Sequence, residues 1–156
     1  MLYILCGAPG SGKSTWAHEF INLYPELNIC YISRDEVRNS IVKENEEYFS
    51  HEEKVFGKFI HNIQQALVDG RNVIADATHI NRASRRKLIR AIDRVITEYE
   101  ITYVVFKTDV EVCLKQNAYR CGRARVPEDV IRNMCNNFYP PSDKEDTRIV
   151  GYIEVS

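Results

Sequence analysis

Two spacings of apolar residues divide the chain. Leu2-Tyr3-Ile4-Leu5-Cys6, Ile29-Cys30-Tyr31-Ile32 after Asn28, Val73-Ile74-Ala75 between Asn72 and Asp76, and Ile101 to Phe106 are short, nearly continuous apolar runs. Such runs predict strands buried on both faces. Arg148 to Val155 alternates and predicts a last strand. Helical segments separate them. Lys13 to Leu23 ends at Tyr24-Pro25, and Ser33 and Glu36 stand at capping-box spacing before a helix to about Val42. Lys43 to Tyr48 is polar and predicts a loop. From Ser50 to Asp69, Val55, Phe56, Phe59, Ile60, Ile63, Ala66 and Leu67 share one face, and Gly70 closes the helix. Asn81 to about Glu98 has Leu88, Ile89, Ile92, Val95 and Ile96 as its buried stripe, with Arg82, Arg85, Arg86 and Arg90 largely opposite. Thr108 and Glu111 suggest another capping box, opening a helix to about Tyr119. Arg120 to Arg125 is a basic loop, and Pro127 with Glu128 and Asp129 starts a helix to about Phe138.

Strands that alternate with helices argue for a parallel α/β sheet covered on both faces. Ligands of such sheets bind beyond the carboxyl ends of the strands. Asp35, Asp76, Asp109 and a glycine-rich loop all follow strands, so this fold would gather them on one edge.

Composition narrows the class. The 156 residues suit one domain, taken as residues 1–156. Charges nearly cancel, 21 Lys+Arg against 22 Asp+Glu, so nucleic-acid binding would need local patches. Five scattered cysteines form no C-x-x-C pair and point to a reducing, cytoplasmic setting. No basic stretch marks a signal peptide, and no apolar run reaches membrane-spanning length, so no membrane partner is expected.

The chemistry starts at Gly7-Ala8-Pro9-Gly10-Ser11-Gly12-Lys13-Ser14-Thr15, which fits G-x-x-x-x-G-K-[ST] between a strand and a helix. Its glycines let several N–H groups point at one anion, and the helix N-terminus adds positive charge. Lys13 would reach the β- and γ-phosphates of ATP or another NTP, and Ser14 would ligate Mg²⁺. A dinucleotide fingerprint is discarded, because the third glycine is missing and a lysine stands inside it. Beyond strand two, Asp35 is the candidate proton acceptor for an attacking hydroxyl. Arg38, one helical turn on, is the candidate holder of an acceptor phosphate. Asp76 would hold Mg²⁺ through water or help position the acceptor. Lys115 to Arg125 carries Lys115, Arg120, Arg123 and Arg125 without an acid and suggests a cationic lid, about residues 115–135. His79 shows no partner.

At these residues the chain resembles the kinase domain of bacteriophage polynucleotide 5′-hydroxyl kinase. The likeness runs from Gly7 to Trp16, through Arg34-Asp35-x-x-Arg38, Asp76-x-Thr78, Asn81 and Arg85-Arg86, to Asn117-x-x-Arg120 and Val126-Pro127-x-Asp129-Val130-x-Arg132-x-Met134. The resemblance implies a three-layer, adenylate-kinase-like P-loop fold with strand order 2-3-1-4-5 and a helical lid. It implies ATP–Mg²⁺ as donor and the 5′-OH of DNA or RNA as acceptor. It makes Lys13, Asp35, Arg38 and Arg120 catalytic, places Arg120 and Arg123 with the glycine loop on the donor, and puts Asp35, Arg38, Asp76, Thr78 and Arg86 at the acceptor. The lid departs from the pattern by about one extra residue before Val126, and Gln116 stands where a basic residue is expected. No Asp-x-Asp-Gly element follows, so 3′-phosphate repair is not expected; a functional link to a ligase or a separate phosphatase is. Two other functions compete: kinase of a small hydroxyl compound or modified base, and an NTP-binding regulatory module. A binding switch needs no proton acceptor, so Asp35 argues against the last.

Overall fold

β1 (Leu2–Cys6) runs through the middle of the molecule with every residue buried. It pairs in parallel with β3 (Asn72–Asp76) on one side and β4 (Ile101–Phe106) on the other. β2 (Ile29–Ser33) and β5 (Ile149–Val155) form the two edges, giving the order β2-β3-β1-β4-β5, all parallel. This computed structural model describes residues 1–156.

The period of two along β1 splits the core. Leu2, Ile4 and Cys6 face one cluster, built with Val55, Phe59, Ile60, Ile63 and Leu67 of α3 (Glu52–Val68) and Leu88, Ile89 and Ile92 of α4 (Arg82–Ile92). Tyr3 and Leu5 face the other, where α1 (Lys13–Leu23) contributes Ala17, with Trp16 and Phe20 against it. α2 (Arg34–Ile41) starts where β2 stops, and the Ser33 hydroxyl accepts the Glu36 N–H at 3.3 Å. α5 (Val110–Ala118) and α6 (Glu128–Asn136) form a helical arm over the glycine loop, packed through Ala8, Cys113, Leu114 and Ile131.

Three local expectations are corrected. α4 ends at Ile92, not near Glu98. Asp93 accepts two hydrogen bonds from Arg148, at 2.8 and 2.9 Å, and one from the Tyr99 hydroxyl at 2.7 Å, while Arg148 also donates to the Thr97 carbonyl. These bonds hold the segment after Ile92 as a turn, and Val95 is 57% exposed. The α5 cap is Asp109, which accepts from Glu111 N–H at 2.8 Å; Thr108 instead donates to the Ser11 carbonyl. Asp109 therefore serves a helix end rather than the strand-edge cluster.

The third correction is Arg85. It is fully buried rather than on the solvent face. Its guanidinium donates to both Glu145 oxygens, at 3.0 and 2.8 Å, and to the His79 carbonyl at 2.9 Å. The Tyr103 hydroxyl adds a bond to Glu145. Glu145 lies far along the chain, so helix periodicity has no means of showing the pair. His79 is buried beside it and donates from Nδ1 to the Leu5 carbonyl at 2.8 Å. Burial holds its pKa down at about 4, so it is a neutral structural residue. Removing one partner of a buried pair strands the other charge. Arg85→Ala is expected to lose about 3–5 kcal/mol in urea unfolding. Arg85→Ala with Glu145→Ala is expected to lose clearly less than the sum of the single variants. Simple additivity would contradict the coupling.

Candidate active site

The glycine loop leaves β1 at Gly7, whose N–H donates to the Thr78 carbonyl at 2.9 Å and so ties the ends of β1 and β3 together. Gly10 and Gly12 take φ of 79° and 91°, in the left-handed region that glycine favours. A Cβ on Gly10 would also run into the Cys113 carbonyl, so the loop seats directly on α5. Gly12 then starts α1 with no side-chain cap and no acid in the first turn. The backbone N–H groups of Gly12, Lys13, Ser14 and Thr15 have no protein acceptor; that of Trp16 is the first to be paired, with Gly12 O at 3.0 Å. Lys13 is buried, and Nζ donates to the Ala8 carbonyl at 2.9 Å without an ion-pair partner. Burial pulls its pKa down, with the nearby Asp76 charge opposing. Unpaired amides, a helix N-terminus and an uncompensated buried cation fit a polyphosphate anion.

Asp76 closes β3 beside this cradle. It is buried and accepts from Ser14 Oγ at 2.9 Å and the Tyr31 hydroxyl at 2.5 Å. Ser14 and Asp76 would hold a hydrated Mg²⁺. No cluster of three or more His, Cys, Asp or Glu side chains offers a full cage, so the ion would need phosphate oxygens as well. The P-loop fold implies NTP binding, usually with Mg²⁺, and these residues fit that pair.

Across a cleft of about 690 Å³ stand Arg34, Asp35, Arg38, Tyr48, Phe49 and Glu52. Arg38 is 6% exposed and locked. Nε and Nη2 donate to the two Glu52 oxygens at 2.5 and 3.0 Å, and Nη1 donates to Asp35 Oδ1 at 2.5 Å. The rings of Phe49 and Tyr48 lie 5.0 and 5.2 Å from its guanidinium carbon. Burial opposes its charge, but the Glu52 bonds and the Glu52 and Asp35 charges outweigh that and raise its pKa. Glu52 is in turn held below the usual carboxylate range by Arg38 and Arg34, against the pull of burial. The Asp35 side chain stays 59% exposed. Its position in the first turn of α2, one turn before Arg38, lets the arginine fix one oxygen and leaves the other without a protein partner at the cleft.

Of the remaining sequence candidates, Pro9, Gly10, Thr15, Thr78 and Arg120 line the same cleft, while Gly7, Ala8 and Ser11 form the back of the loop. Arg120 has only a 3.5 Å contact to the Ala124 carbonyl, so its guanidinium is nearly free. Arg123 does not line the cleft; it donates to the Lys43 carbonyl at 2.7 Å and lies over the Tyr48 ring. Arg86 is exposed on α4, outside the cleft. Asn117 clamps the arm, its amide donating to the Val126 carbonyl at 2.7 Å and accepting from Val126 N–H at 2.9 Å. Sequence reasoning missed Glu52, Tyr31 and the Tyr48–Phe49 pair. Glu52 reads as a helix-start acid, Tyr31 as a strand residue, and Tyr48–Phe49 as the end of a polar loop. Only the aromatic doublet beside acids carried a local signal.

The AAA-domain family model AAA_33 matches residues 2–141. The chain belongs to this family. It has a P-loop kinase-like α/β fold, with strand order β2-β3-β1-β4-β5. An L-seryl-tRNA(Sec) kinase of Methanococcus maripaludis is 33% identical over 146 residues, 92% of this chain and 54% of that protein. The chain thus spans about half the length of that relative. A chain of the Pnkp1/Rnl/Hen1 RNA repair complex is 29% identical with a TM-score of 0.72, over 87% of this chain and 43% of that one. Kti12 of Chaetomium thermophilum, solved with ADP-AlF3, superposes with a TM-score of 0.65 at 15% identity, over 98% of this chain and 89% of its own, which shows the AAA_33 domain's fold alone.

Saturating ATP–Mg²⁺ at about 100 times Kd is expected to add about 2.7 kcal/mol, or roughly 5–10 °C in Tm for a domain of this size. Lys13→Ala is expected to abolish the shift, and Ser14→Ala to remove its Mg²⁺ dependence. A full shift in Lys13→Ala would remove the lysine from the cradle.

Proposed function

We propose that this domain is an ATP–Mg²⁺-dependent kinase whose acceptor is a hydroxyl carried on nucleic acid, with the 5′-OH end of RNA or DNA as the leading acceptor. The observation that carries the reading is the facing of two half-sites across one cleft. The unpaired amides with Lys13 lie on one wall, and Asp35 with its Arg38–Glu52 support lies on the other. The phage polynucleotide kinase resemblance, the relative in an RNA repair complex and the seryl-tRNA kinase relative all support a nucleic-acid acceptor.

Bound ATP–Mg²⁺ supplies the activated phosphoryl group and the cation that draws charge from it. The chain's own residues orient and neutralise. The Gly12–Thr15 amides and Lys13 would hold the donor phosphates, and Ser14 with Asp76 would hold the Mg²⁺. The free Asp35 oxygen accepts the proton of the attacking hydroxyl while Arg38 keeps the carboxylate aimed. Arg120, at the mouth, stabilises charge on the transferring group, and the arm of residues 115–135 serves as the lid that excludes water.

A second reading has its own support. Arg38 is engaged by two carboxylates, which leaves it less free to hold a phosphate beside the acceptor hydroxyl. That favours an acceptor without an adjacent phosphate, such as the side-chain hydroxyl of an aminoacyl-tRNA or a small alcohol.

Incubation with γ-labelled ATP, Mg²⁺ and 5′-OH RNA and DNA oligonucleotides, beside seryl-tRNA, nucleosides and small alcohols, decides between them. Label on oligonucleotide 5′ ends is expected; label confined to another acceptor overturns the leading reading. Asp35→Asn is expected to lower kcat about 10²–10⁴-fold while keeping the ATP-dependent thermal shift. Wild-type kcat in that variant would remove Asp35 as base.

A further inference from the structure

α4 carries a row of unpaired cations that none of the proposed catalytic steps uses. Arg82, Arg86, Lys87 and Arg90 are exposed, and none forms a salt bridge. Arg82, Arg86 and Arg90 recur every four residues, and Lys87 lies one turn before Arg90, so they share one side of the helix. The helix contains no acid to offset them. Like charges at this spacing repel one another, so the row is disfavoured in the free protein. It stands out against a chain whose net charge is −1.

The row is connected to the cleft. Lys87 Nζ lies 4.5 Å from the centre of the Phe56 ring on α3. The Arg34 guanidinium lies 5.4 Å from that same centre. Arg34 lines the cleft next to Asp35 and donates to Glu52 at 3.2 Å. Its Nε is buried with no partner. Cationic groups therefore step from the acceptor wall, where Arg34 is paired with Glu52, through Lys87 onto the exposed side of α4, where the charges are unpaired.

We infer that this strip binds the phosphodiester backbone of the acceptor strand downstream of the hydroxyl placed at Asp35. The inference rests on the nucleic-acid acceptor proposed above and names where the rest of that polymer lies. Charge complementarity selects the occupant: the exposed cations of α4, with no acid in that helix, match a polyanion. The aromatic ring between Arg34 and Lys87 is covered by both cations, so the strip reads backbone charge rather than bases.

Lys87→Ala/Arg90→Ala tests it, since alanine favours the helix and neither side chain lies in the core. Anisotropy of a fluorescein-labelled 20-mer RNA, without ATP, reads the strip independently of the reaction. The double variant is expected to bind about tenfold more weakly at low salt, and the magnitude of its log K against log[salt] slope is expected to fall by about 1.4. Lys87→Arg/Arg90→Lys is expected to restore both. In the kinase assay, KM for a 5′-OH 20-mer should rise while KM for a 5′-OH dinucleotide and for ATP stay at wild-type values. Unchanged affinity and salt slope in the alanine variant, or no RNA binding by wild type, overturns the strip. Label on no oligonucleotide, with normal anisotropy, overturns the 5′-OH acceptor reading and leaves the strip as a nucleic-acid-binding surface.

Discussion

Backbone N–H groups without a protein acceptor must be met by water or an anion, and the head of α1 holds four side by side, from Gly12 to Thr15. Parallel topology makes this tolerable. β1 is central, so the loop leaving it opens onto the carboxyl edge of the sheet, where no further strand competes for those amides. Gly10 and Gly12 turn the chain back, α5 presses on Gly10, and the Gly7–Thr78 bond keeps the loop at the end of β3. Lys13 is held in the same electrostatic condition: a desolvated cation with one carbonyl and no counter-ion. Cradle and lysine together are stabilised by an anion far more than by anything the protein supplies.

The opposite wall solves the reverse problem. Arg38 is buried and held from several sides, with two carboxylates and two aromatic rings around one guanidinium. Such an arginine serves better as a rigid strut than as a mobile clamp, because moving it would break several charge-assisted bonds at once. Its consequence is orientation of Asp35, whose second oxygen stays exposed. A cleft with an anion-hungry wall and a fixed carboxylate opposite it has the polarity that phosphoryl transfer to a hydroxyl requires.

Much of this was legible along the chain. The strands, their parallel arrangement, the glycine loop and most helices follow from spacing that each segment carries by itself: period two or continuous apolar runs, period 3.6, caps and glycines. The Asp35 and Asp76 positions followed from strand ends alone. Local pattern determines these features because the forces that fix them act within one element.

Tertiary structure alone decided the rest. Glu52 reaches Arg38 from another helix, Tyr31 reaches Asp76 from another strand, and Arg85 is buried by Glu145 from the far end of the chain. Whether an arginine is solvated, as Arg86 is, or fully buried, as its neighbour Arg85 is, depends on a carboxylate the helix does not contain. α4 stops at Ile92 because Arg148 and Tyr99 converge on Asp93. Long-range charge pairing leaves no periodicity in sequence, so the sequence determined the donor cradle, and only folding decided which acids and arginines build the wall that faces it.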